Sequence, residues 1–228
     1  MVLAVACAAL IACSKTSGSV DSESTPSTSP PVPSGPIAAD AGTSQPTGRV
    51  HSVPASVASD CSADVTPALS KWISSVPDNS TLTLGKSACY QVDGSLAITN
   101  RRNLLLEGNG ATLKATTRGT RTRIHFGIDN SENIIVRNLI VNGANPRAGA
   151  TRPAYQEELE AQHGFNLGGV RHVLLDGVQA SDVYGDFVYI SSSGQGPTRG
   201  QPSDHVAVVR SRFTRSGRQV SPSPARAA

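Results

Sequence analysis

The chain repeats one short strand pattern. An apolar-x-apolar triplet followed by a polar pair occurs as Leu104-Leu105-Leu106-Glu107-Gly108, Ile134-Ile135-Val136-Arg137-Asn138, Val173-Leu174-Leu175-Asp176-Gly177 and Val206-Ala207-Val208-Val209-Arg210, at spacings that are similar but unequal. A second pattern, Gly164-Phe165-Asn166-Leu167, recurs as Phe187-Val188-Tyr189-Ile190, each copy preceded by a polar residue, His163 or Asp186. Short strands on a coil-sized period cannot each bury an apolar face alone. They must stack, and the pattern therefore predicts a β-solenoid whose insertions account for the unequal spacing.

The segment 1–59 does not belong to that pattern. Met1 to Cys13 is an apolar run, shorter than the roughly 20 residues that span a bilayer, and reads as an export signal. Its end, Leu10-Ile11-Ala12-Cys13, resembles the lipobox of bacterial lipoproteins, which implies cleavage and lipidation at Cys13 and attachment to a membrane. Residues 14–59 are rich in Ser, Thr, Pro, Gly and Ala and cannot offset their ordering entropy by burial, so a disordered tether is expected. The solenoid is expected over 60–219 and a disordered tail over 220–228.

The four cysteines sort by position. Cys7 leaves with the signal and Cys13 takes lipid, so Cys61 and Cys89 remain as a pair in an oxidising setting and are expected to form a disulfide. A metal-thiolate role lacks partners at ligand spacing. Between them Val65, Leu69, Trp72 and Ile73 form one helical stripe, with Thr66-Pro67 as N-cap and first-turn proline and Val76-Pro77 as the stop. A solenoid exposes the apolar cross-section of its end coil, and this helix is expected to cap it through Trp72. Asn103, Asn109, Asn133, Asn138 and Asn142 fall at turns, where asparagine tolerates the left-handed conformation of tight corners.

Taken together, Asp64 to Leu69, Gly85 to Gly94, the Asn-Ile-Ile-Val-Arg-Asn-Leu run at 133–139 and the strand Gly185 to Ile190 resemble the bacterial right-handed parallel β-helix proteins of the pectate-lyase and polygalacturonase-like superfamily. The resemblance implies an all-β, right-handed parallel β-helix. It also implies a surface or secreted protein that acts on, or binds, a polysaccharide along a groove. The hydrolase motifs of that superfamily, an Asn-Thr-Asp segment, an Asp-Asp pair, a Gly-His-Gly and an Arg-x-Lys, are not intact, and no carboxylate cluster for calcium is visible. No metal or other cofactor is expected.

Candidate chemistry then rests on register. Stacking the two strand copies places His163 beside Asp186, one strand spacing of about 4.8 Å away, with Gln219 next in the column. Such a pair is an acid/base constellation in which the carboxylate raises the imidazole pKa and holds its tautomer; a polar corner ladder is the other reading. Asp182 and Asp186 offer the two carboxyl groups that sugar hydrolysis uses, although a turn aspartate also caps. Asn166 and Tyr189, in the strand copies, are expected to contact substrate with Tyr155 and Arg152 of the insertion at 144–162. Glu157, Glu158 and Glu160 in that insertion read as a solvated helical turn. Of the 20 basic residues 16 are Arg, among them Arg101, Arg102, Arg118, Arg121 and Arg123, whose forked heads suit carboxylate-bearing sugars. With a net charge of only +3 and no aromatic-plus-basic motif, nucleic acid is not an expected partner. The expected partners are an acidic polysaccharide and, through Cys13, a membrane; the chain is expected to be a monomer. After Gln219 the column calls for another strand, but Pro222 and Pro224 cannot serve one, so a truncated or frame-shifted β-helix is expected.

Overall fold

Alternation with a period of two sends every second residue of each triplet inward, and parallel stacking turns those residues into columns. The computed structural model describes residues 41–149, 154–194 and 200–218. In chain order the turns are β1 (Val50–Ser52), β2 (Asp60–Asp64) and α1 (Thr66–Ser75); β3 (Ser80–Thr83), β4 (Cys89–Gln91) and β5 (Ala97–Thr99); β6 (Arg102–Glu107), β7 (Thr112–Lys114) and β8 (Phe126–Asp129); β9 (Glu132–Arg137), β10 (Ile140–Asn142) and β11 (Phe165–Gly168); β12 (Arg171–Asp176), β13 (Gln179–Val183) and β14 (Val188–Ser191); then β15 (Asp204–Val209) and β16 (Arg212–Ser216).

Three parallel sheets result. The first runs β1-β3-β6-β9-β12-β15, the second β2-β4-β7-β10-β13-β16 and the third β5-β8-β11-β14. This is a parallel β-solenoid. Leu104 pairs with Ile134, Ile134 with Val173 and Val173 with Val206, the register that the triplet spacing predicts. The core is a set of columns, such as Leu104, Ile134 and Val173 from the first sheet, Leu113, Val141 and Ala180 from the second, and Ile98, Ile128 and Leu167 from the third, all at most 3% exposed.

The corners between sheets carry the left-handed residues. Asn103, Asn109, Asn133 and Asn138 have φ between 51° and 54°, as expected, whereas Asn142, at the end of β10, does not take the left-handed conformation. Asn133 donates from Nδ2 to Asn103 Oδ1 at 2.9 Å, which makes a ladder between turns. His172 and His205 occupy the corresponding positions of the next two turns, with φ of 53° and 51°.

The helix α1 takes the place in its turn that a third-sheet strand takes later, and packs against β5. Leu69, Trp72 and Ile73 close over Leu84, Leu96, Leu106, Leu113 and Phe126. The capping detail differs from expectation. Val65 is the N-cap residue and Thr66 already lies inside the helix, while Asp64 Oδ1 accepts from Thr66 N at 3.0 Å and from its hydroxyl at 2.5 Å. The Thr66 hydroxyl also accepts from Gly94 N, so it ties the helix to the next turn instead of capping it.

The boundary placed at residue 59 is corrected. Residues 41–59 include β1, which pairs with β3, and a strap that crosses the corner ladder: Ser44 N donates to Asn133 Oδ1 at 2.7 Å, Thr47 N donates to Asn79 Oδ1 at 3.1 Å, and His172 Nδ1 lies 2.9 Å from Ala41 O. Composition missed it because this segment is held mainly by hydrogen bonds to asparagine side chains and strand edges, not by large apolar residues. The signal at 1–13 with Cys13, the rest of the tether to residue 40, Arg152, Gln219 and the tail at 220–228 lie outside the described residues.

Cys61 and Cys89 are joined in a disulfide across the β2–β4 pair. Because the bond closes a loop of 28 residues, its removal by Cys61→Ser with Cys89→Ser is expected to cost about 3 kcal/mol by loop entropy. Urea denaturation should show the loss. Thiol labelling of the unreduced, denatured protein should find neither cysteine reactive, and labelling of both would remove the bond from the native protein.

Candidate functional site

The site builds outward from the pairing of β11 with β14, in which Asn166 lies opposite Tyr189. Just ahead of these strands Gly164 N donates to Asp186 O at 2.9 Å, and His163 and Asp186 become neighbours. The repeated strand pattern thus brings them together as expected. Gly185 makes the fit: a Cβ there would come 2.6 Å from His163 Nδ1 and 2.3 Å from Glu160 O.

The chemistry between His163 and Asp186 differs from the expectation. Asp186 N–H donates to His163 Nδ1 at 3.0 Å, while the nearer carboxylate oxygen stands at 3.6 Å from the same nitrogen. The backbone amide, not the carboxylate, therefore fixes the tautomer, leaving the ring proton on Nε2. Burial pushes the His163 pKa down, and this outweighs the opposing pull of the Asp186 carboxylate; Arg218 adds to the lowering. The expected rise does not occur because His163 is only 5% exposed and desolvation disfavours the imidazolium. Arg218 Nη1 also engages Asp186 Oδ2 at 3.2 Å.

The His163 ring stacks on Tyr189, with centroids 4.4 Å apart and planes 6° from parallel. Tyr189 itself is 40% exposed, so its ring forms part of an open wall. Around them lies a recess of about 330 Å³ lined by Thr122, Ile124, Glu160, His163, Asn166 and Tyr189, with Arg218 at its edge. A second recess of about 340 Å³ continues from it along the third sheet, shares Ile124 and Asn166, and adds Thr99, Asp129 and Ser191. The two form a groove that crosses successive turns.

The groove wall is braced from beneath. Arg123, 2% exposed, donates to Gln162 Oε1 from Nε and Nη2 at 3.1 and 2.7 Å and to Thr117 O at 2.7 Å. Gln162, fully buried, donates back to Arg118 O and Thr120 O. Asp93 accepts from the backbone and hydroxyls of Thr116 and Thr117 and from Gln91, and these bonds hold its carboxyl well below the usual range despite burial. His125 lies in this same layer, with its pKa lowered to about 3 by burial and secondarily by Arg123.

The other expected site residues are dispersed. Asp182 is in β13, in a left-handed conformation, and is clamped by Arg215 through two bonds of 2.7 and 2.5 Å. It does not line either recess. Tyr155 is exposed and donates to Glu160 Oε2 at 2.7 Å, which puts it at the rim beside the first recess. Glu157 and Glu158 fall in a single 3-10 turn, Glu157–Leu159, and Glu158 pairs with Arg118. Of the arginines proposed for sugar carboxylates, Arg101 instead binds Asp78 and the helix-end carbonyls of Ile73 and Val76, and Arg123 is buried.

Sequence reasoning missed Asp129, Ile124 and Arg218. Asp129 is level with Gly168 of the next turn in the third sheet, and the long insertion between β10 and β11 hid that correspondence. Among the described residues no three His, Cys, Asp or Glu side chains gather as a metal site. No family model, curated protein or solved structure matches the chain, so the site is read from its own geometry.

Proposed function

We propose that the chain acts on a polysaccharide lying across the turns of the solenoid in the groove of the third sheet, as a hydrolase or lyase of the pectate-lyase and polygalacturonase-like kind. The observation that carries this reading is the open, linear groove with an exposed aromatic wall at Tyr189. A flat ring offers a face to a sugar, Asn166 offers an amide to its hydroxyls, and the Arg218 guanidinium suits a sugar carboxylate. His163 Nε2–H supplies a donor whose orientation Asp186 holds through its backbone amide. In this reading the protein is an exported monomer, tethered to a membrane by lipid at Cys13. The disulfide supports an oxidising compartment, and no described helix is long and apolar enough to cross a membrane.

A second reading is a surface protein that binds the polymer without cleaving it. It is favoured by the near-complete burial of His163 and by the use of its Nδ1 and of the Asp186 carboxylate within the protein. Affinity electrophoresis in polygalacturonate, alginate and xylan, joined to assays for reducing ends and for unsaturated products, separates the readings. Tyr189→Ala is expected to weaken binding about tenfold, the loss of one ring contact of about 1.4 kcal/mol. In the enzymatic reading His163→Ala, which removes the Nε2–H donor, lowers turnover sharply with the fold intact, whereas Asp186→Asn, which keeps the backbone amide that orients the ring, has the smaller effect. Unchanged binding in Tyr189→Ala would remove the groove from consideration.

A further inference from the structure

The second recess contains a carboxyl group, that of Asp129, which no described residue engages. Asp129 ends β8 and stands in an outward column with Thr99, Gly168 and Ser191. It is half-buried, and no hydrogen bond or ion pair engages its carboxyl among the described residues. Its counterparts are all engaged: Asp93 by threonines, Asp176 by Arg137 and Arg210, Asp182 by Arg215 and Asp186 by Arg218. A buried carboxyl that serves the fold finds donors, because leaving it unpaired is costly. Space is also reserved for it. A Cβ on Gly168 would come 2.6 Å from Asp129 Oδ1 and push the carboxyl aside, so the glycine leaves it room in the recess in its present position.

We propose that Asp129 is the proton-donating catalytic carboxyl of this groove, acting on a glycosidic oxygen of a polysaccharide that lies over Asn166 and Tyr189. The inference rests on the polysaccharide reading of the groove and adds the group that does the chemistry. The carboxyl O–H breaks and its proton passes to the glycosidic oxygen as the bond from that oxygen to the anomeric carbon breaks, its electron pair staying with the departing oxygen. Water then forms the new bond to the anomeric carbon and returns a proton to the Asp129 carboxylate. One water is consumed for each linkage. Burial raises the Asp129 pKa, which favours the protonated form that such a donor needs.

The test uses the full chain and its Asp129→Asn variant on polygalacturonate, alginate and xylan, with binding and reducing-end release measured separately and circular dichroism confirming the fold. The expected result is a loss of about 10²- to 10⁴-fold in kcat with KM unchanged, and disappearance from the residual activity of the alkaline limb of the kcat profile. Turnover by Asp129→Asn close to that of the unaltered chain overturns the assignment. Binding without turnover by the unaltered chain also overturns it, yet leaves the groove reading standing. Failure of the unaltered chain to bind any of the three polymers overturns both.

Discussion

Trp72→Ala is expected to lower the unfolding free energy by about 3–5 kcal/mol, the range for deleting a large aromatic from a core. Trp72 is 7% exposed and, with Leu69 and Ile73, seals the first full turn of the solenoid. Its loss acts twice: it leaves a cavity, and it uncovers the interior columns at Leu84, Leu96 and Leu106, whose other neighbours are already spent within the stack. Urea denaturation should show the midpoint fall, and an apolar dye should bind the folded variant more strongly than the parent. A loss under about 1 kcal/mol would mean that α1 is an ornament on a self-sufficient stack.

Acidification is expected to destabilise the fold well before the carboxylates titrate. His125 has its folded pKa lowered to about 3 from an unfolded value of 6.5, and that of His163 is lowered too. Between those values the unfolded chain takes up a proton that the folded chain refuses. Stability is therefore fully present above pH 6.5 and falls as the pH drops towards 3, by about 1.4 kcal/mol for each pH unit from His125 alone. Below pH 3.8 Asp93 adds to the decline, because its folded pKa is depressed and protonation breaks its bonds to Thr116 and Thr117. Melting temperatures between pH 7 and 4 should fall steadily, and His125→Leu should flatten the slope. A level profile over that range would contradict the burial of these imidazoles.

Much of this architecture is legible in the sequence because stacking requires repetition. The triplets at Leu104, Ile134, Val173 and Val206 give the register of the first sheet, and the paired strand copies at Phe165 and Val188 bring His163 to Asp186. The helix and the cysteine pair are equally readable, since an apolar stripe and a thiol count depend on side-chain type alone. Other features depend on backbone geometry that composition does not encode. The tautomer of His163 is set by an amide N–H, which any residue at 186 other than proline would supply. Asp129 reaches the groove through a register masked by an insertion, and the strap at 41–49 is recognised by asparagines whose ladder exists only after the turns have stacked.

That strap changes how the molecule should come apart. An ordinary solenoid behaves as a one-dimensional array, in which each repeat touches only its neighbours and the ends can fray independently. Here Ala41 meets His172 across 131 residues of chain, Ser44 meets Asn133 across 89 and Thr47 meets Asn79 across 32, so one segment is sewn to three different turns. Each of those turns must be in place before the seam can close, which raises contact order and slows the last folding step. In return, the turn bearing His172 cannot peel away without opening a seam that begins ahead of β1. The turns from β1 to β12 are therefore expected to melt together instead of unravelling from the N-terminal end.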